Sequence, residues 1–260
     1  MKVCFPFVGD TVGGSHISSL VLINHLIREQ FEPLIIVGEI GPLSEELERL
    51  HYPFVYVPMG RRKPHLSREL LTIGCSPRVL LKMALVLKRY DIDVVHTNDM
   101  RMHTLWSVVC RLSGVRHLWH QRTAFPLSRL SRWTLRMSSE IVCISNFVRA
   151  TLPLGQRIRA HVVPNPVEDA NIDPNEVEEL RAWMCKKAGV NSGAIILGSF
   201  GNLRTVKDPI TLVQAFIQFS KKTEREVILG IFGEDREGWK HRLNTLLQDQ
   251  DMGSRCLFLG

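Results

Sequence analysis

Val3-Cys4-Phe5-Pro6-Phe7-Val8, an apolar run, leads through Gly9-Asp10-Thr11-Val12-Gly13-Gly14-Ser15 into a stretch whose apolar residues Ile17, Leu20, Val21, Ile23, Leu26 and Ile27 recur at helical spacing. A strand that enters a helix through glycines reads as the opening of a βα unit. It also turns backbone N–H groups and the positive end of a helix dipole toward one spot, which suits phosphate. The device recurs at Ile195-Ile196-Leu197-Gly198-Ser199-Phe200-Gly201, followed by Asn202-Leu203-Arg204-Thr205-Val206-Lys207-Asp208 and a helix opened by Pro209. Two copies predict two α/β domains whose turns face each other across a cleft.

Outward from these turns, strands alternate with helices. Strands are predicted at 2–8, 34–37, 54–57, 93–98, 117–121, 141–144 and 162–163. Helices are predicted at 15–29, 43–50, from Ser76-Pro77 to Tyr90, and at 100–113, with others between the last three strands. Apolar strands alternating with helices imply a parallel sheet covered on both faces. Pro164-Asn165-Pro166 interrupts the rhythm and sets the boundary between domains 1–165 and 166–260. The second domain restarts with helices at 174–188, 209–221 and 238–250 and strands at 194–200, 227–232 and 256–259. Three strands are fewer than a sheet of ordinary size holds, so this domain reads as incomplete.

The chain has 260 residues, 45% hydrophobic and 23% charged, as expected of a globular protein. Six cysteines without a CxxC pair read as buried thiols in a reducing compartment, not as a disulfide framework. The start is too short for a signal peptide, and no run is long enough to span a membrane. A cytoplasmic location is expected, peripheral at the inner face of a membrane. The net charge is +7, and its distribution is uneven. From Met100 to Val167 the only acid is Glu140, against ten arginines and no lysine. Such a stretch reads either as solvated helix faces or as a surface for an anionic substrate or acidic membrane. Nucleic acid is not expected, because no base-reading element accompanies the charge. A second basic group, Arg61-Arg62-Lys63-Pro64-His65, reads as a loop.

Several residues could carry chemistry. Gly13, Gly14 and Ser15 form the first turn, with Glu39 past the second strand where a dinucleotide fold keeps its ribose-binding acid. The alternative reading is a plain βα turn. His96 and Asn98 end one predicted strand, and His120-Gln121-Arg122 the next, at the edge where open parallel sheets bind ligands. Arg204 and Lys207 add charge to the second turn, a combination that fits a diphosphate. No nucleophile elbow or carboxylate dyad is evident, and no metal-ligand spacing appears.

In order along the chain, these segments resemble family 4 retaining glycosyltransferases, which have two Rossmann-like parallel-sheet domains in the GT-B architecture. Gly13-Gly14-Ser15 resembles the family's glycine loop, and Asp93-Val94-Val95-His96-Thr97 its "D-V-V-H" strand. Trp119-His120 resembles the strand ending in its active-site histidine, and Ile144-Ser145-Asn146-Phe147-Val148 its "I-S-x-x-V" segment. Val163-Pro164-Asn165-Pro166-Val167 resembles its "N-P/G-V", and the run from Gly201 to Asp208 its "G-R-L-x-x-x-K-G/D". Asn202 stands where the family has arginine, with Arg204 as the substitute. The family's two-glutamate donor segment would fall after Gly260.

The resemblance implies a hexosyltransferase that uses a nucleotide sugar, retains anomeric configuration and needs no cofactor or metal. The donor's own phosphate would help deprotonate the acceptor. His120 is the expected catalytic residue. Gly13, Gly14, Asn202, Arg204, Lys207 and Gly233 are expected at the donor, and Ser15, His96, Asn98 and Arg122 at the acceptor. That acceptor is expected to be an anionic glycan or lipid-linked precursor, as in polysaccharide or lipopolysaccharide synthesis. The rival expectation is a truncated, non-catalytic fragment that serves as a binding or interaction module.

Overall fold

The computed structural model describes residues 1–59, 77–166, 172–235 and 237–260. The basic group at 61–65 and the Ser76 start of a helix lie outside the described residues. The chain forms two compact units, Met1–Glu168 and Asp169–Gly260. The division falls three residues after the boundary placed at Asn165 from the proline pair.

In the first unit, β1 (Lys2–Phe7), β2 (Glu32–Val37), β3 (Phe54–Tyr56), β4 (Val94–Thr97), β5 (Arg116–Gln121), β6 (Glu140–Cys143) and β7 (Ala160–Val162) build one sheet. Its order is β3-β2-β1-β4-β5-β6-β7, and the pairings are parallel. The order reverses between β1 and β4. Connections there leave to opposite faces, opening a crevice at the strands' carboxyl ends.

Alternation along each strand sorts the core into two layers. Val3, Phe5 and Phe7 pack with Leu20 and Ile23 of α1 (Gly14–Arg28) and Leu43 and Leu47 of α2 (Pro42–Arg49). Cys4, Ile36 and Val95 pack on the other side with Met83 and Leu87 of α3 (Pro77–Arg89) and Trp106 and Val109 of α4 (Met100–Ser113). Asp99 starts α4 by accepting the Met102 amide, and Gly114, at φ 72°, ends it. Three short helices follow: α5 (Arg129–Leu135), then α6 (Asn146–Ala150) and α7 (Leu154–Arg157). The described cysteines, Cys4, Cys110, Cys143, Cys185 and Cys256, are free and buried.

The second unit contains α8 (Pro174–Ala188), β8 (Ile195–Phe200), α9 (Pro209–Lys222), β9 (Val227–Phe232), α10 (Trp239–Gln248) and β10 (Cys256–Phe258). Its parallel sheet has three strands in the order β10-β9-β8. A 3-10 turn at Thr205–Lys207, unforeseen in the sequence, precedes α9. Asp208 joins the two in the left-handed region, at φ 47°, and its carboxylate caps α9 at the Thr211 amide. Few side chains tolerate that backbone, and aspartate is among them.

No helix among the described residues is long and apolar enough to cross a membrane.

Candidate functional site

Register places His96 opposite Leu118 and Thr97 opposite Trp119. Side-chain alternation then puts His96 and His120 on the α1 face and Thr97, His117 and Trp119 on the α4 face. A 5.0 Å ring contact between His96 and Phe5 agrees with that sorting.

On the α1 face, His96 Nε2 and His120 Nδ1 lie 3.0 Å apart. One proton can sit between them, so the pair is satisfied only if at least one ring is neutral. Burial drives both below the ordinary histidine range, His120 to about 3, and the Arg122 cation adds to the effect. His120 Nε2 is buried and has no partner among the described residues. An unmade hydrogen bond at a buried atom is costly, and a ligand hydroxyl would supply it.

Beyond the histidines, Arg122 occupies the centre of the strand ends. Its Nε donates to Asn98 Oδ1 at 2.9 Å, and its Nη1 to Asn165 Oδ1 at 2.6 Å and to Ser18 Oγ. Nη2 reaches Ser19 Oγ at 3.4 Å. Burial lowers Arg122 to about 10, and no carboxylate among the described residues pairs with it. Arg122 and Asn98, expected to meet an acceptor, are thus bonded to each other, and Arg122 ties β4, α1 and the Asn165 segment together.

The glycine turn divides by role. Gly9 has φ +105°, and a Cβ there would lie 2.0 Å from Glu39 O, so the protein itself requires this glycine. Glu39, the candidate ribose acid, is ion-paired with Arg101 at 2.9 Å. Gly14 has open space where a Cβ would go, and at Gly13 the nearest atom is His16 Nδ1 at 3.9 Å. The Gly13 amide, expected to face a ligand, instead donates to His16 Nδ1. The amides of Gly14 and Ser15 have no partner among the described residues. His16 has no signature in the sequence, since one histidine in a helix looks like any other.

On the α4 face, Thr97 Oγ1 lies 2.6 Å from His103 Nδ1 and 2.8 Å from His117 Nε2. His117 Nδ1 meets Ser138 Oγ at 3.1 Å. The Ser107 hydroxyl donates to His103 O at 2.6 Å, and its oxygen lies 3.1 Å from His117 Nδ1. In the consistent proton order, His117 Nδ1–H therefore donates to the serine oxygens, the Thr97 hydroxyl donates to His117 Nε2, and His103 Nδ1–H donates to Thr97 Oγ1. Neither His103 nor His117 stood out in the sequence. No group of three His, Cys, Asp or Glu among the described residues could hold a metal ion.

In the second unit, the strand ends meet backbone to backbone. A Cβ on Gly233 would lie 2.5 Å from Gly201 O, and one on Gly260 2.4 Å from Gly233 N. Asn202 Oδ1 accepts the Glu234 amide at 3.1 Å. Arg204 Nε lies 3.4 Å from Glu237 Oε1. Lys207 is exposed and its ammonium has no partner among the described residues.

The Glycosyltransferase Family 4 model matches residues 12–171. A curated Escherichia coli protein, UDP-Gal:alpha-D-GlcNAc-diphosphoundecaprenol alpha-1,3-galactosyltransferase, is 21% identical over 90% of this chain. The chain spans 62% of that relative's length. Among solved structures, Anabaena HepE in complex with UDP and glucose matches all of this chain and 69% of its own, with TM-score 0.71 and 18% identity. A glycosyltransferase from Rickettsia africae matches all of this chain and 68% of its own, with TM-score 0.75 and 17% identity. These likenesses show the fold, an α/β architecture of GT-B type.

Proposed function

This chain belongs to glycosyltransferase family 4, and from that premise we propose that it moves a hexose from a nucleotide sugar to a glycan or lipid-linked acceptor with retention. The observation that carries the donor assignment is Lys207. It is an exposed cation without a partner among the described residues, on the Thr205–Lys207 turn that lies between β8 and α9. A leaving nucleoside diphosphate gains negative charge in the transition state, and a fixed cation there lowers the barrier. Arg204 joins once the diphosphate draws it from Glu237. His120 Nε2 bonds a hydroxyl of the transferred sugar, and the open space at Gly14 admits that sugar against the Gly14 and Ser15 amides. Support comes from HepE, solved with UDP and glucose, and from the Escherichia coli relative, named for a UDP-sugar donor. Titration with UDP tests this reading. Lys207→Ala should weaken binding by about tenfold or more, the scale of one charge-assisted contact to phosphate. Unchanged affinity would discard the donor assignment.

The acceptor is proposed to arrive from an anionic membrane surface. On and around α5–α7, Phe125, Trp133, Phe147, Leu154 and Ile158 are exposed, Ile158 by 80%. Arg129, Arg136 and Arg149 stand among them, and Glu140 is the only acid of the stretch. Aromatic rings and arginines together suit a headgroup layer. Vesicles of phosphatidylglycerol should sediment the protein in low salt, and vesicles of phosphatidylcholine should not. Arg129→Glu with Arg136→Glu should abolish the difference; its persistence would refute this surface.

A further inference from the structure

Resting on the donor reading above, we propose that Glu237 is a positioning residue that sets the turn carrying Lys207 and leaves that lysine as the uncommitted cation of the donor loop. Glu237 Oε2 accepts the Thr205 amide at 2.8 Å and the Thr205 hydroxyl at 2.6 Å. Its Oε1 faces Arg204, and the Trp239 indole N–H reaches Oε2 at 3.4 Å. The carboxylate therefore holds the first residue of the Thr205–Lys207 turn from two atoms at once. Within that turn the Lys207 amide donates to Arg204 O and the Asp208 amide to Thr205 O, so moving Thr205 moves Lys207.

Glu237 is itself anchored. Its amide donates to Asp235 Oδ1, and Asp235 also accepts the amides of Trp239 and Lys240 at the start of α10. The loops after β8 and β9 are further joined where Leu203 pairs with Asp235. The chain of contacts runs from the first turn of α10 through two carboxylates to the lysine turn. Hydrogen bonds from backbone and hydroxyl to a carboxylate are among the stronger kinds, and they hold its pKa near 2, charged at any working pH. A negative group here would repel a diphosphate if it did nothing else. Its hydrogen bonds to Thr205 give the reason for its presence, and its pairing with Arg204 means that the diphosphate must compete for that arginine.

The experiment compares the parent chain with Glu237→Ala and Glu237→Gln by amide hydrogen exchange and by UDP titration. In Glu237→Ala, exchange at Thr205 should accelerate about tenfold or more and UDP affinity should fall by about the same factor. Glu237→Gln keeps an acceptor for the Thr205 amide and removes the charge. It should preserve protection and bind UDP as tightly as the parent, or more tightly. Thr205→Val, which deletes only the hydroxyl contact, provides a milder variant if Glu237→Ala fails to fold; it should show the same losses in smaller degree. Unchanged exchange at Thr205 in Glu237→Ala overturns the proposal, and so does a glutamine variant as impaired as the alanine one. A parent chain that does not bind UDP would discard the donor reading alone, because the exchange data judge the Glu237–Thr205 tether separately.

Discussion

Lowering the pH from 7 to 5 should destabilise the first unit by about 3 kcal/mol or more, a large share of the ~5–15 kcal/mol that holds a typical domain. The cause is the set of buried histidines. His117 and His120 are both held near 3 by burial, and His96 and His103 lie well below the ordinary value for the same first reason. Each folded-state value is depressed below the unfolded value of about 6.5. The stability is therefore whole above pH 6.5 and is lost as the pH falls toward 3, because the unfolded chain takes up protons that the folded chain refuses. At pH 5 this amounts to about 2 kcal/mol for each of His117 and His120. Asp99 works in the opposite sense. Burial raises it to about 6, so between pH 6 and its unfolded value it favours the folded state as the pH drops, returning about 1 kcal/mol at pH 5. Urea titrations monitored at several pH values would measure the slope. A His117→Gln variant should flatten it, and a stability that stays level from pH 7 to 5 would contradict the neutral-histidine network.

Two glycines of the first turn, Gly9 and Gly14, should behave as opposites. Gly9→Ala forces a Cβ into the Glu39 carbonyl, 2.0 Å away, on a backbone at φ +105°. Backbone cannot yield as a flexible side chain would, so a loss on the order of 3 kcal/mol or more is expected, with β1 and the segment after β2 pushed apart. Gly14→Ala meets nothing within 4 Å and stands at the first position of α1, where alanine is at least as good a helix former. Its melting temperature should match or exceed that of the parent. If the space beside Gly14 receives the sugar, transfer from a nucleotide sugar should nonetheless fall steeply. Intact transfer in a stable Gly14→Ala protein would show that this opening serves no ligand; a stable Gly9→Ala protein would show that the Glu39 approach is soft.

The element order was legible because its signals are local. Apolar runs, helical spacing and terminal prolines and glycines placed α4 at 100–113, α8 at 174–188 and β9 at 227–232 with the bounds the structure has. Ends were less legible where packing decides them. The 3-10 turn at Thr205–Lys207 depends on Glu237, more than thirty positions away, and no local pattern announces it. The candidate residues themselves were visible by type and by place at strand ends, but their commitments were not. Arg122 looked like a cation available to an acceptor and is bonded on several sides by neutral oxygens. Arg204 and Lys207 were both read as cations for a diphosphate, whereas among the described residues Arg204 is paired with a carboxylate and Lys207 is not.

From the order of residues alone came the alternating α/β plan, the break at Pro164–Pro166 and the family resemblance, since each depends on neighbours along the chain. Only the folded chain decided which glycine serves the backbone, which histidines stay neutral and which cations remain unspent. Those outcomes turn on desolvation and on partners brought from distant strands, and neither quantity exists until the sheet has formed.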